Sequence, residues 1–168
     1  IHLPEGQPDD PPDRETVYGL GNRKNARFRE LLQRRGVRSY GSTVALIRAL
    51  RQQGMATAAV SSSKNCGAVL EAAGLETLFD ARVDGVEAAR LNLPGKPAPD
   101  IFLEAAQRLG AKPRRAVVIE DATVGVEAGR RGGFGLVIGV DRLADPDRLT
   151  AAGADLVGPN VTAEQQRW

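Results

Sequence analysis

The chain has one cysteine, Cys66, one histidine, His2, and one methionine, Met55, among 168 residues. A single thiol excludes an internal disulfide and leaves too little sulfur for a zinc or iron–sulfur site. A lone histidine close to the start argues against a Ser/His triad and against histidine-based metal sites. Aromatic residues make up 4%, with one tryptophan and two tyrosines, so little is available to stack on bases. Charge of either sign is nearly balanced at +2, too slight for a general nucleic-acid surface, and nucleic acid is not an expected partner. No apolar run approaches the ~20 residues that span a bilayer, so a membrane is not expected either. Lysine is scarce as well: Lys24, Lys64, Lys96 and Lys112 stand among 23 basic residues.

What is present describes a globular chain, with 42% hydrophobic and 26% charged residues. Its length suits one domain of roughly 150 residues with a small appendage. Such a chain buries about 68–70% of its unfolded surface and needs no covalent staple. A Pro/Asp-rich lead-in, with Pro4, Pro8, Pro11 and Pro12, interrupts regular structure up to Asp13. From Arg14 to Arg38 the spacing of Phe28, Leu31, Leu32 and Arg35 predicts a helix that stops at Gly36. It carries eight basic residues against Glu15 and Glu30; a solvated face is the usual meaning, an anion-facing surface the other.

A second helix is expected from a Ser42 or Thr43 N-cap to Gly54, with Val44, Ile47 and Leu50 inward. Thereafter short apolar runs alternate with helical ones. Strands are expected at Met55–Val60, Ala81–Asp84, Ala116–Ile119, Phe134–Val140 and Ala154–Val157. Helices are expected through Val69 and Leu70, through Ile101, Phe102, Ala105 and Leu109, at Thr123–Arg131 and at Arg148–Ala152. Strands that are apolar without alternation, separated by helices, predict an α/β fold with a doubly wound parallel sheet covered on both faces. The small residues Gly125, Ala128 and Gly129 let their helix approach that sheet closely. The change from all-helical to alternating pattern places a boundary near Ser39–Gly41.

Ligands of open parallel sheets bind beyond the carboxyl ends of the strands, so the residues following each strand carry the functional information. Ser61-Ser62-Ser63-Lys64-Asn65 follows the first strand. Ser61 offers a hydroxyl and nearby backbone N–H groups to a phosphate, or one of the serines simply caps the next helix. Glu120-Asp121 ends a later strand. Two adjacent carboxylates repel unless a cation joins them, and a hard divalent ion such as Mg2+ suits oxygen donors without histidine. The alternative has Asp121 capping the helix at Thr123 and Glu120 facing water. Between these lies Gly95-Lys96-Pro97-Ala98-Pro99-Asp100, where prolines stiffen the loop around Lys96. Its compact charge suits a phosphate or a carboxylate, although a plain surface lysine is the default. Together a serine, a lysine and an acidic pair in this order suit phosphoryl transfer. Ser61 itself has no histidine or free base to activate it as a nucleophile.

Val60-Ser61-Ser62-Ser63-Lys64-Asn65, Gly95-Lys96-Pro97-Ala98-Pro99-Asp100 and Ile119-Glu120-Asp121-Ala122 resemble motifs II, III and IV of the haloacid dehalogenase superfamily, in its β-phosphoglucomutase-like branch. Gly21-Asn22-Arg23-Lys24-Asn25 resembles the helical cap of that branch. The resemblance implies that residues 1–40 are the C-terminal part of a cap and 41–168 a Rossmann-like core. Ser61 would bind the transferring phosphoryl group, Lys96 would stabilise it, and Glu120 with Asp121 would hold Mg2+. Ser62, Ser63, Lys64 and Asn65 would line the substrate loop and grip a second phosphate, and Lys24 would place the substrate from the cap. The family's first motif, Asp-x-Asp-Gly at the end of the first strand, is absent, and Asp84-Gly85 is only an echo of it. That motif, with its nucleophilic aspartate and first strand, is expected upstream of Ile1, which leaves two strand edges unpaired.

The implied activity is a Mg2+-dependent phosphotransfer on a small sugar phosphate through an aspartyl-phosphate, with β-phosphoglucomutase-like isomerisation first. A sugar-phosphate phosphatase of the same branch, and a non-catalytic truncated fragment, are the alternatives. The implied partners are a phosphorylated sugar and either the missing N-terminal segment or a second copy of the chain. A cytoplasmic setting fits the single cysteine and such a substrate.

Overall fold

A computed structural model describes residues 2–159; Ile1 and the stretch from 160 onward, including Trp168, lie outside the described residues. The chain divides into two compact units, one running to Arg38 and one starting at Ser39.

The first unit is the helix α1, Val17–Arg35, with the proline-rich lead-in folded on itself. The lead-in is irregular but ordered by one buried carboxylate. Asp10 is 4% exposed and accepts from the Thr16 hydroxyl at 2.6 Å, the Arg14 guanidinium at 2.9 Å and the Gln7 N–H at 3.1 Å. Those bonds, the Thr16 hydroxyl foremost, hold its carboxyl below the usual value. Thr16 in turn caps α1 by accepting the Gly19 N–H, and Asn22 donates back to the Asp10 carbonyl at 2.8 Å. At the far end Gly36 takes a φ of 63°, which closes the helix with an N–H to the Leu32 carbonyl. Much of the basic face is spent on local pairs, Arg27 and Arg34 with Glu30 and Arg23 with Glu15.

In the second unit α2 spans Gly41–Gln52, beginning two or three residues earlier than a Ser42 or Thr43 cap would place it. Tyr40 stands at the cap position without a side-chain hydrogen bond, and its ring instead receives the Arg142 guanidinium at 4.0 Å. Then follow β1 Ala58–Val60, α3 Cys66–Ala72, β2 Ala81–Val83, α4 Gly85–Arg90, α5 Asp100–Arg108, β3 Val117–Glu120, α6 Thr123–Arg131, β4 Leu136–Val140, α7 Pro146–Ala151 and β5 Leu156–Gly158. The first strand is shorter than its apolar run because Asp80 captures its start. Its carboxylate accepts the Thr57 N–H at 2.8 Å and the Arg51 guanidinium at 2.6 Å.

All strand pairs are parallel. β1 pairs with β2, with Val60 opposite Val83; β4 lies between β3 and β5, with Glu120 opposite Gly139. The sheet is therefore in two parts, and among the described residues β1, β2, β3 and β5 each have an unpaired edge. One helical layer underlies both parts. α5 packs on β1 and β2, α6 on β3 and β4, and the two helices touch. Their inward residues Ile101, Phe102, Ala105, Val126 and Ala128 join Val83, Val118, Val137 and Leu149 in one buried cluster. Gly129 explains the close approach, since a Cβ there would stand 3.2 Å from both Val118 and Val137. The other face is less covered than the apolar strands led one to expect. α2 buries Leu46 against Val140, but Val117 and Ile119 of β3 remain 47% and 42% exposed. No helix among the described residues is long and apolar enough to cross a membrane.

Candidate active site

Parallel pairing puts the carboxyl ends of β1, β3 and β4 around one cavity of about 260 Å3. Thr43, Val60, Ile119, Glu120, Asp121, Val140 and Arg142 line it. This is below the roughly 300–1,000 Å3 typical of sites for drug-sized ligands.

Glu120 is the last residue of β3, and its side chain folds back over the start of α6. One carboxylate oxygen accepts the N–H groups of Asp121 and Ala122 at 3.0 and 3.1 Å. The other is ion-paired with Lys96, both side chains being 11% exposed. Gly125 makes room for this fold-back, because a Cβ there would lie 2.2 Å from the Glu120 carboxyl carbon. Lys96 reaches inward from its proline loop with its ammonium 4.7 Å from the Phe102 ring centre. That cation–π contact and the carboxylate together fix a side chain that is otherwise floppy. Asp121 is more open, 55% exposed, and its carboxylate receives the Arg142 Nε at 3.3 Å. It does not cap α6: Ala122 takes that place without a side-chain bond.

Ser61 directly follows Val60 and extends the ladder by donating its N–H to the Val83 carbonyl. Its hydroxyl accepts the Ser63 N–H at 3.1 Å, and the Ser63 hydroxyl accepts the Asn65 N–H at 3.1 Å. Two successive serine turns thus shape the loop, with Ser62, Ser63 and Lys64 exposed. Asn65 precedes α3 without capping it by its side chain. Cys66 comes next, and burial first, then the nearby Asp84 charge, push its thiol up, which makes it a poor nucleophile. Lys24 is exposed on α1, in the other unit.

The structure therefore brings Lys96, Glu120 and Asp121 together at the rim where β1 delivers Ser61. Two supporting features, the Asp84-Gly85 pair and Arg142, carry no strong local signal. Gly85 lies under the serine loop, where a Cβ would stand 2.5 Å from the Ser62 carbonyl oxygen and 2.9 Å from the Lys64 nitrogen. Asp84 before it is 3% exposed, caps α4 through the Val86 and Glu87 N–H groups, and pairs with Arg82. The Asp-Gly pair after β2 was the available cue, and its meaning is a cap and a close contact. Arg142 is the second, brought to Asp121 only by tertiary structure.

As donors for a hard cation, Glu120 and Asp121 fit in kind. Among the described residues no cluster of three or more His, Cys, Asp or Glu side chains occurs. Mg2+ commonly makes do with one or two carboxylates, keeping water and substrate phosphate for the rest of its shell.

Parallel strands on a layer of helices, with loops converging at their carboxyl ends, define a Rossmann-like α/β domain. The chain belongs to the haloacid dehalogenase-like hydrolase family, whose sequence profile matches residues 9–133. It is 45% identical over 160 residues to a β-phosphoglucomutase of Mycobacterium bovis, covering 94% of this chain and 61% of that protein. It is also 41% identical over 120 residues to a trehalose-phosphate phosphatase of Mycobacterium leprae, covering 69% of this chain and 26% of that one. The fold matches a β-phosphoglucomutase structure from Clostridium difficile with a TM-score of 0.72 at 22% identity, over 92% of this chain and 65% of the other. The chain thus spans about three-fifths of the length of the mycobacterial β-phosphoglucomutase it resembles.

Proposed function

We propose that the chain forms most of the catalytic core of a Mg2+-dependent phosphotransferase acting on a small sugar phosphate, interconverting hexose phosphates through an aspartyl-phosphate. The observation that carries this reading is the Lys96–Glu120 pair beside Asp121 at the strand ends, where Ser61 begins the neighbouring loop. The relationship to β-phosphoglucomutase supports the substrate class. In this reading the Ser61 hydroxyl and the Lys96 ammonium bind the oxygens of the phosphoryl group and orient it. Glu120 and Asp121 hold the cation, which neutralises phosphoryl charge when bound. Ser62, Ser63, Lys64 and Asn65 grip a second phosphate, with Lys24 contributing from residues 1–40 acting as cap. The nucleophilic aspartate is supplied by sequence outside these 168 residues, which contain no Asp-x-Asp-Gly. The setting is cytoplasmic.

A phosphatase is the second reading, favoured by the 41% identity to the trehalose-phosphate phosphatase. The full-length protein with β-glucose 1-phosphate, a hexose bisphosphate primer and Mg2+ is expected to give glucose 6-phosphate, followed by 31P NMR. Free phosphate without the isomerised product would establish the phosphatase instead. The 168 residues alone are expected to leave p-nitrophenyl phosphate intact. Turnover by them that Asp121→Asn abolishes would contradict an external nucleophile.

A further inference from the structure

Each carboxylate of the acidic pair has its own protein cation. Lys96 sits on Glu120, and Arg142 sits on Asp121 at 3.3 Å. Arg142 is the second residue beyond β4 and lines the same cavity as both acids. Its guanidinium is held from the other side by the Tyr40 ring, at 4.0 Å from the ring centre. Arg148 adds a further positive charge by donating to the Asp121 backbone carbonyl at 3.1 Å. A guanidinium keeps its charge at any physiological pH and, stacked on an aromatic face, loses little freedom in holding one geometry.

We propose that Arg142 is a positioning residue that acts as a built-in counter-cation of Asp121, one that an incoming metal ion must displace. The role rests on the reading of Glu120 and Asp121 as the cation site. A divalent ion held by Asp121 would meet the like charge of Arg142 at close range and compete with it for the carboxylate. With both carboxylates already balanced, the cavity takes a cation weakly until an anion arrives to restore the balance. Phosphate entry and metal entry then favour one another, as linkage requires. Tyr40 sets the strength of this restraint by keeping the guanidinium over Asp121 rather than in solvent.

The test is Mn2+ binding to the 168-residue chain, read from the EPR signal of free Mn2+, in the absence of phosphate. Arg142→Gln is expected to bind Mn2+ about two- to five-fold more tightly than the parent chain, the range of an exposed ion pair. Arg142→Lys, which keeps the charge, is expected to stay near the parent value. The gain should shrink in high salt, because exposed charges are screened. It should vanish in an Asp121→Asn background, because it passes through that carboxylate. A merely structural role would instead weaken binding. Unchanged or weaker binding by Arg142→Gln, with Asp121→Asn still lowering affinity, would overturn the role of Arg142 alone. Binding that Asp121→Asn leaves untouched, or no saturable binding by any of these proteins, would overturn the cation reading itself.

Discussion

Lys96→Met is expected to lower the unfolding free energy by about 3 kcal/mol, the lower end of the cost of orphaning one member of a buried ion pair. For a chain of this size that is a fall in Tm of roughly 6–12 °C. Both side chains of the Lys96–Glu120 pair are 11% exposed, so water reaches the stranded carboxylate poorly. The cost stays at the lower end because Glu120 retains the Asp121 and Ala122 N–H groups. Methionine keeps an apolar chain against Phe102 while removing the ammonium, with its bond to Glu120 and its cation–π contact. The double variant Lys96→Met/Glu120→Gln is expected to recover most of the loss, since neither partner is then a lone charge. Urea unfolding of the two single variants and the double would measure this. A loss below about 1 kcal/mol for Lys96→Met would place the pair among ordinary surface ion pairs.

Gly85→Ala is expected to disturb the serine loop without replacing any residue assigned to ligand binding. A Cβ at Gly85 meets backbone, the Ser62 carbonyl oxygen at 2.5 Å and the Ser63 carbonyl carbon at 2.9 Å, so no side chain can swing aside. The loop itself must move, at about 1–3 kcal/mol for a clash of this kind. Displacement by ~1 Å at a precisely arranged site costs on the order of a hundredfold in function. Gly95→Ala is the control: its Cβ would meet nothing within 4 Å, and its effect is expected within about 0.5 kcal/mol. Thermal melts and phosphate affinity of the two variants give the comparison. Equal behaviour of Gly85→Ala and Gly95→Ala would show that the loop tolerates the contact.

Much of this structure was legible because its cues are local. Thr123–Arg131 forms as a helix with the expected bounds, and α5 buries Ile101, Phe102 and Ala105 as their spacing required. The serine loop and the acidic pair could be located because each directly follows a strand of fixed direction, whereas Lys96, in the loop between α4 and α5, arrives beside Glu120 only through the fold. Other features depended on partners distant in sequence. The start of β1 yields to Asp80, 23 residues on, and the Tyr40 ring at the head of α2 stacks with Arg142, which no local pattern announces. The sequence offers Asp84-Gly85 only as a strand end and an echo of Asp-x-Asp-Gly, with no sign of α4, whereas Asp84 is the buried cap of that helix. The Asp10 carboxylate, in a lead-in whose prolines announce only interrupted structure, is the centre of that segment's hydrogen bonding. Covering of both sheet faces failed at β3, whose apolar residues suit a neighbour that the described residues do not supply.

Inorganic phosphate titrated into the isotopically labelled chain, with and without Mg2+, separates the strand-end site from the basic helix most directly. The expected amide shifts cluster at Ser61–Ser63, Lys96 and Glu120–Asp121, and they saturate at lower phosphate when Mg2+ is present. Shifts confined to the arginine-rich helix α1, indifferent to Mg2+, would mean that these loops do not form one phosphate-binding centre.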